Sequence, residues 1–320
     1  MKRVLLTGAT GLVGQFCVPA LLERGYEVHA LTSKSPPPRR EDPSGIHWHR
    51  ADLLAEPPTE LLATLRPTHL LHGAWYMEPE RLYTSLENFR WVRASLGLLE
   101  AFAAAGGTRA VMLGSCAEYD WSDGLCVEGR TPTVPTSTYG VCKLALGQLA
   151  LAFARQAGLS CAWARVFFLY GPHENPNRLV ASVVRALLRG EPAYCSTGEQ
   201  RRDLLHARDV ADACAAILDG PVEGVVNVAS GEAVAVRDVI FRIADLLGRR
   251  DLLRLGARSA AHEPPLVVAD VDRLTNEVGW RPRFDLDTGL RDTIRSWREI
   301  LGEAPEPGAG ASDRTAFPTA

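Results

Sequence analysis

Tyr139 and Lys143 stand four residues apart in the run Tyr-Gly-Val-Cys-Lys. On a helix that spacing puts both side chains on one face. An ammonium beside a phenol favours the phenolate and lowers the tyrosine pKa, so the pair would serve as an acid/base near neutral pH. A further hydroxyl, Ser115, closes the apolar run Ala110–Gly114. If that run is a parallel strand, its carboxyl end faces a ligand crevice, and a serine there can bond a substrate carbonyl oxygen and orient it. Each piece is common by chance; their order along one chain, behind a glycine-rich loop, is the specific signal.

That loop lies at the start. Val4-Leu5-Leu6 reads as a buried strand, Thr7-Gly-Ala-Thr-Gly-Leu-Val-Gly14 follows at once, an apolar helix runs through Val18, Leu21 and Leu22 to Gly25, and Tyr26–Leu31 alternates as a second strand. This is a complete βαβ unit. Gly8 allows the tight turn, Gly11 lets the backbone approach a pyrophosphate, and Gly14 lets helix and strand pack closely, with the helix N-terminus favouring the phosphate charge. Thr7, Thr10, Leu12 and Val13 share the loop and are counted with the dinucleotide-binding residues. NAD binders usually end the second strand with Asp or Glu for the ribose hydroxyls. Here the segment is Leu31-Thr32-Ser33-Lys34, with Arg39 and Arg40 beyond. A hydroxyl and a cation suit the 2′-phosphate of NADP, so NADP is preferred and NAD is the alternative.

Further strands are expected at Ile46–Asp52, with Asp52 and Leu53 at an adenine edge, at 69–74, where Gly73-Ala74 lets the cofactor pass closely, and at 110–114. Helices are expected at 59–65 and 80–105. Alternating strands and helices predict an α/β fold, a doubly wound parallel Rossmann sheet. The 320 residues, 46% apolar and 23% charged, exclude wholesale disorder and a fibrous repeat. A net charge of −3 argues against a nucleic-acid partner. Seven cysteines without a CxxC motif argue against zinc and a disulfide framework, so reduced thiols in a cytoplasmic protein are expected and no metal ligand is assigned. Cys17, Cys142, Cys161 and Cys214 read as small core residues and His72 as sheet packing. The uncharged stretch Val4–Leu22 contains three glycines and a proline, unlike a membrane span.

The chain resembles the extended short-chain dehydrogenase/reductases of the NAD-dependent epimerase/dehydratase group over about residues 3–300. The resemblance rests on the glycine loop, Ala51-Asp-Leu53, His72-Gly-Ala74, Ser115, Tyr139–Lys143, Arg165-Val-Phe-Phe-Leu-Tyr-Gly-Pro172, Arg202–Asp209 and Val226–Gly231. It implies Ser115, Tyr139 and Lys143 as a catalytic trio, with Lys143 also at the nicotinamide ribose, Phe167 at the cofactor and a homodimer formed through the helices at about 80–105 and 138–156. Trp91, Phe168 and Ala260 depart from the family pattern, each where a polar substrate contact is usual. Cys116-Ala117 replaces the Asp-Glu pair of the dehydratases, which argues against 4,6-dehydration. The combined epimerase–reductase pattern is not met either: Cys116 follows the serine directly, and Arg178, downstream of His173, sits near the expected histidine.

The remainder, 171–302, reads as a smaller α/β substrate domain, with 207–228 returning to the dinucleotide-binding domain of 1–170 and 303–320 a disordered tail. Helices are expected at 177–190, 209–218, 236–247 and from after Pro282 to about 300. A guanidinium can grip phosphate with two parallel hydrogen bonds. The resemblance puts Arg202 at a sugar-nucleotide diphosphate, with Arg178 a second phosphate candidate. Cys116, Glu118, Tyr119 and Phe168 are read as facing substrate, and His206 as a ribose or backbone contact. The leading expectation is NADPH-dependent reduction of a nucleotide-linked 4-keto-6-deoxy sugar, with Tyr139 as acid. The alternatives are a 4-epimerase with retained NAD, a catalytically silent NADP-binding protein, and reduction of a non-sugar ketone.

Overall fold

The computed structural model describes residues 2–34, 45–78, 80–259 and 263–302. Arg39, Arg40, Ala260 and the tail 303–320 lie outside the described residues. Strand β1 (Lys2–Thr7) leads through the glycine loop into α1 (Gly14–Glu23) and back through β2 (Tyr26–Thr32). Then follow β3 (Ile46–Arg50), α2 (Thr59–Leu65), β4 (His69–His72), α3 (Glu87–Ala104), β5 (Arg109–Ser115) and α4 (Thr138–Ala157). With Ser160–Val166 and Gly224–Val228, these strands form a seven-stranded sheet whose described pairings are all parallel. From β1 the order runs to β2 and β3 on one side, and to β4, β5 and the later two strands on the other. The order therefore reverses between β1 and β4, where the carboxyl ends of the strands open a crevice.

Both faces of the sheet are covered, which is why its strands read as nearly unbroken apolar runs. Val4, Leu6, Val28 and Ala30 pack with α1 and with α6 (Ala207–Asp219). Leu5, Leu31, Leu70 and Met112 pack with α2, α3 and α4 on the other face.

A second sheet joins Ala233–Ala235, Arg201–His206, Leu266–Ala269 and Leu125–Cys126, with Phe168–Tyr170 pairing alongside Arg201–His206. Helices α5 (Leu179–Leu188), α7 (Val236–Leu247) and α8 (Leu286–Leu301) build a separate core around Val184, Ile240 and Leu290. Between the two cores lies a small apolar cluster of Cys116, Tyr119, Cys126, Phe167 and Val267. No helix among the described residues is long and apolar enough to cross a membrane.

Of the element boundaries that differ from expectation, two have a clear local reason. Residues 81–86 form turns, and α3 begins only at Glu87. The fully buried Asn88 donates its amide to the carbonyls of Leu82 (2.7 Å) and Ser85 (2.9 Å), so the preceding backbone bonds a side chain instead of a helix ladder. Likewise β3 stops at Arg50, because Asp52 Oδ1 accepts from Leu54 N–H at 3.0 Å and turns the chain.

Candidate active site

The glycine loop is built by close approach. Gly8 has φ +77°, and a Cβ there would stand 2.7 Å from the backbone of Gly73. A Cβ on Gly14 would stand 2.0 Å from the Gly8 carbonyl oxygen. Gly8 thus lets the loop cross the end of β4, and Gly14 packs against the loop itself rather than against the strand. Gly11 is different: it is exposed, and the nearest atom to a Cβ there is 3.2 Å away. Its missing side chain leaves room outside the fold, as an approaching ligand needs. Helix α1 begins with no side-chain cap and no acidic residue in its first turn. These N-terminal N–H groups are of the kind that bind phosphate. The loop and helix start therefore fit the pyrophosphate of a dinucleotide.

Around the loop, Thr7 Oγ1 lies 2.7 Å from His72 Nδ1 and accepts from Ala74 N–H at 3.2 Å, and His72 Nε2 lies 2.8 Å from Ser95 Oγ. Burial pushes the His72 pKa down to about 3, so a neutral ring ties β1 and β4 to α3. At the end of β2, Thr32 is buried and accepts from Lys34 N–H at 3.2 Å, while Ser33 and Lys34 are exposed. Asp52 is exposed and Leu53 buried just beyond β3. Thr10 is exposed, whereas Leu12 and Val13 are half-buried and pack against the core around α1.

Ser137 caps α4, accepting from Gly140 N–H at 3.1 Å, and this fixes Tyr139 in the first helical turn with Lys143 one turn on. A Cβ on Gly140 would stand 2.4 Å from the Ala117 carbonyl oxygen. That absent side chain lets α4 press on the turn after Ser115, and it sets the Tyr139 phenol close enough for Ser115 to lower its pKa. Lys143 is buried, donates to the Leu113 carbonyl at 2.9 Å, and holds its Nζ 3.8 Å from the centroid of the Trp75 ring. The three predicted catalytic residues thus converge at the carboxyl end of β5.

Their electrostatics correct the sequence expectation. Burial pushes the Tyr139 phenol up, beyond the ordinary tyrosine range, against a smaller lowering by Ser115. Burial also pushes Lys143 down to about 7, with Glu118 opposing. The ammonium engages Leu113 and Trp75, and desolvation outweighs any help it gives the phenolate.

Several predicted substrate contacts are placed elsewhere. Glu118 does not face the crevice. It is fully buried, and its carboxylate accepts from Ser115 N–H (2.7 Å), Trp163 Nε1 (3.0 Å) and Arg165 Nε (2.6 Å). Tyr119 is also turned inward: its hydroxyl donates to Asn227 Oδ1 at 2.9 Å and its ring lies 4.3 Å from the Arg165 guanidinium, with burial pushing its pKa up to about 12. His206 is 1% exposed and packed between Tyr170 and Phe284, with its Nε2 3.4 Å from Asp292 and its pKa pushed down to about 4 by burial. It belongs to the packing against α8, not to a ribose site. Cys116 is nearly buried, and burial raises its thiol well above the usual range. Phe168 and Arg202 do stand together, the guanidinium 5.5 Å from the ring centroid. Arg202 also donates to the carbonyls of Arg201 and Pro264 and to Glu263 Oε2 at 2.9 Å. Phe167 is buried beside Tyr119, and Arg178 is exposed at the start of α5.

Sequence reading missed the Glu118–Arg165–Trp163 network, whose members lie 45 and 47 residues from Glu118. It also missed Trp75, which donates to Asn88 Oδ1 at 2.8 Å and stacks loosely on Trp91 at 6.2 Å. The glycines beside the trio were an available signal: a Cβ on Gly114 would stand 2.2 Å from Trp163 Nε1. All seven cysteines are buried free thiols.

A family model described as the NAD dependent epimerase/dehydratase family matches residues 4–229. A UDP-glucose 4-epimerase of Azospirillum brasilense is 27% identical over 341 aligned positions, covering 97% of this chain and 97% of its own. Among solved structures, MoeE5 in complex with UDP-glucose and NAD is 31% identical with a TM-score of 0.81, over 93% of this chain and 99% of its own. DesIV, a dTDP-glucose 4,6-dehydratase from Streptomyces venezuelae with NAD and TYD bound, is 26% identical with a TM-score of 0.79, over 94% of this chain and 98% of its own.

Proposed function

The chain belongs to the NAD-dependent epimerase/dehydratase family, and from that premise we propose that it interconverts the C4 alcohol and C4 ketone of a nucleotide-linked sugar, as a 4-epimerase that retains NAD. The observation that carries this reading is the meeting of Ser115, Tyr139 and Lys143 at the carboxyl end of β5, one strand from the Gly8–Gly14 crossing. The relatives named above, a UDP-glucose 4-epimerase among them, support the substrate class.

Gly8, Gly11 and Gly14, with Thr10, Leu12, Val13 and the start of α1, would hold the pyrophosphate. Thr7, Gly73 and Ala74 would line its path, with Asp52 and Leu53 at the adenine end and Phe167 near the nicotinamide. Bound there, the dinucleotide would supply a hydride acceptor and donor for C4. Ser115 would hold the C4 oxygen by a hydrogen bond. Tyr139 would take the hydroxyl proton as the ketone forms and return it as the alcohol re-forms on the other face. Burial disfavours the phenolate this requires and Ser115 opposes that cost, while Lys143, one turn along α4, would bond the nicotinamide ribose. Arg202 would exchange Glu263 for the sugar-nucleotide diphosphate beside Phe168. Cys116-Ala117 offers no acid/base pair for expelling water, which disfavours the dehydration performed by DesIV-type relatives.

A second reading is the NADPH-linked 4-keto sugar reductase. It is favoured by one observation, the Thr32-Ser33-Lys34 end of β2 with no carboxylate for the ribose hydroxyls. One experiment separates the two. The purified protein is denatured, the released nucleotide is quantified, and fresh protein is incubated with UDP-glucose and followed by NMR. Stoichiometric NAD and formation of the C4 epimer support the first reading. Protein free of nucleotide, selective for NADPH and consuming it with a 4-keto-6-deoxy nucleotide sugar, supports the second and overturns the first. We also propose a homodimer, because Tyr83, Leu86 and Phe89 at the start of α3 and Val141 and Leu149 on the adjoining α4 are exposed apolar side chains.

A further inference from the structure

The parallel pairing of β2 with β3 sets His29 beside His47 in register. Alternation along each strand then puts Glu27, His29, His47 and His49 on one face at the edge of the main sheet. That face is the one α2 covers further along, where Leu31 packs. His29 Nε2 lies 3.0 Å from Glu27 Oε1, and His47 Nε2 lies 4.0 Å from the same oxygen. One ligand atom from each of Glu27, His29 and His47 falls within 4.8 Å of the other two. Ligand atoms about 2.0–2.2 Å from a tetrahedral zinc lie roughly 3.3–3.6 Å apart, so small rotations of the exposed His47 close the set.

The surroundings are those of a prepared site. His29 Nδ1 lies 2.8 Å from His49 Nε2. With Nε2 on a metal, Nδ1 carries the ring proton and donates it to His49, which fixes the tautomer and ring plane as outer partners of ligating histidines do. Glu27 is held in the same way: its Oε2 accepts from Arg3 Nε at 3.1 Å, leaving Oε1 for the histidines. Arg3 is the cation facing the cluster from β1. It is bound to the carboxylate oxygen away from the histidines and to the Leu65 carbonyl, and its charge, which adds to burial in favouring neutral His29, leaves the ring nitrogen free for a metal. The His29 ring is stacked against His47 (4.9 Å) and against His49 (5.1 Å); on binding, the exposed His47 ring would turn out of this stack to bring its in-plane lone pair onto the ion. Two imidazoles and a carboxylate suit a borderline divalent ion of the zinc type, and poorly suit magnesium or calcium.

We propose that Glu27, His29 and His47, supported by His49 and Arg3, form a divalent transition-metal site that staples the edge strand β3 to β2, apart from the catalytic crevice. Bound Zn2+ would join residues 20 positions apart in sequence and hold the last strand of the sheet against fraying. The solvent side of His47 leaves a fourth position for water.

The test uses the full chain stripped with chelator and titrated with ZnCl2 by calorimetry, and with CoCl2 by visible absorbance. One equivalent should bind, the Co2+ complex should show tetrahedral d–d bands, and Zn2+ should raise Tm. His47→Ala, at an exposed position, should abolish both signals while leaving the Tm of the metal-free protein and its dinucleotide binding unchanged. His49→Gln should keep the site but weaken it about 10–100-fold. Failure of the wild-type protein to bind Zn2+ at micromolar concentration would overturn the proposal. So would binding that His47→Ala and His29→Ala leave unaltered, since the ion would then sit elsewhere.

Discussion

Gly140→Ala tests whether the catalytic geometry is set by helix approach. The glycine lies in the first turn of α4 with helical backbone, so alanine is conformationally tolerated there. Its Cβ, however, would stand 2.4 Å from the Ala117 carbonyl oxygen and 2.8 Å from Pro135 Cβ. Ordinary contact begins near 3.4 Å, so the start of α4 must retreat by about 1 Å. That movement carries Tyr139 away from Ser115. A displacement of this size can cost about 10²-fold in turnover, or roughly 2.7 kcal/mol of transition-state stabilisation. Overpacking costs about 1–3 kcal/mol, and the better helix propensity of alanine returns about 1 kcal/mol. The net loss of stability is then about 0–2 kcal/mol, a few degrees in Tm for a chain of this size. The assay is kcat/KM for the C4 interconversion with Tm measured in parallel, and Gln148→Ala, at an exposed polar position of the same helix, as control. A two-decade fall in kcat/KM with Tm nearly kept is expected. Wild-type kcat/KM in Gly140→Ala would refute the reasoning, because Tyr139 would then be positioned by something other than this contact.

Gly14→Ala drives a methyl group to 2.0 Å from the Gly8 carbonyl oxygen and must distort the loop; dinucleotide binding, read by calorimetry, should fall at least about 100-fold, as expected when backbone N–H donors are misaimed. Lys143 has its pKa lowered to about 7 from 10.5 by burial, so the fold binds this proton more weakly than the unfolded chain. Its contribution is least favourable at and below pH 7 and improves as pH rises from 7 towards 10.5. Lys143→Met should therefore gain most Tm over wild type near pH 6–7 and lose that gain towards pH 10, while turnover is abolished. Leu86→Glu with Phe89→Glu places two charges in the exposed apolar patch at the start of α3; light scattering should show monomer where the unaltered chain is dimeric, with Tm measured to confirm folding.

The glycine loop and the strands and helix that flank it were legible because their signal is local. Gly8, Gly11 and Gly14 lie at fixed offsets between an apolar strand and an apolar helix, and each offset has one steric purpose. Tyr139 and Lys143 were legible for a similar reason, since a helix converts a spacing of four into a shared face. Glu118 was not. Its neighbours in sequence placed it after a strand end near substrate, but its partners Trp163 and Arg165 arrive from the next strand of the sheet. A lone carboxylate cannot announce that a buried guanidinium will meet it. The grouping of the histidines of β2 and β3 was not legible for the same reason, since only the pairing register brings them together. His206 and Arg202 lie on one strand, yet the first is sealed against α8 and the second reaches Phe168. The tyrosine pKa went the wrong way because spacing reports proximity and says nothing of desolvation.

The chain crosses between its two sheets more than once. Leu125–Cys126, from the stretch between β5 and α4, is a strand of the second sheet, while Gly224–Val228 comes from beyond that sheet's central strand to complete the first. The seven-stranded sheet is complete only once Gly224–Val228 has been made, and the second sheet later still, because Leu125–Cys126 waits for Leu266–Ala269. Loop closure over such distances is slow and is rewarded only at the end. The two halves should therefore be won or lost together, as one cooperative transition. A cut between Leu125–Cys126 and Leu266–Ala269 would leave a sheet edge open on each side of it, because the backbone itself sews the two layers together.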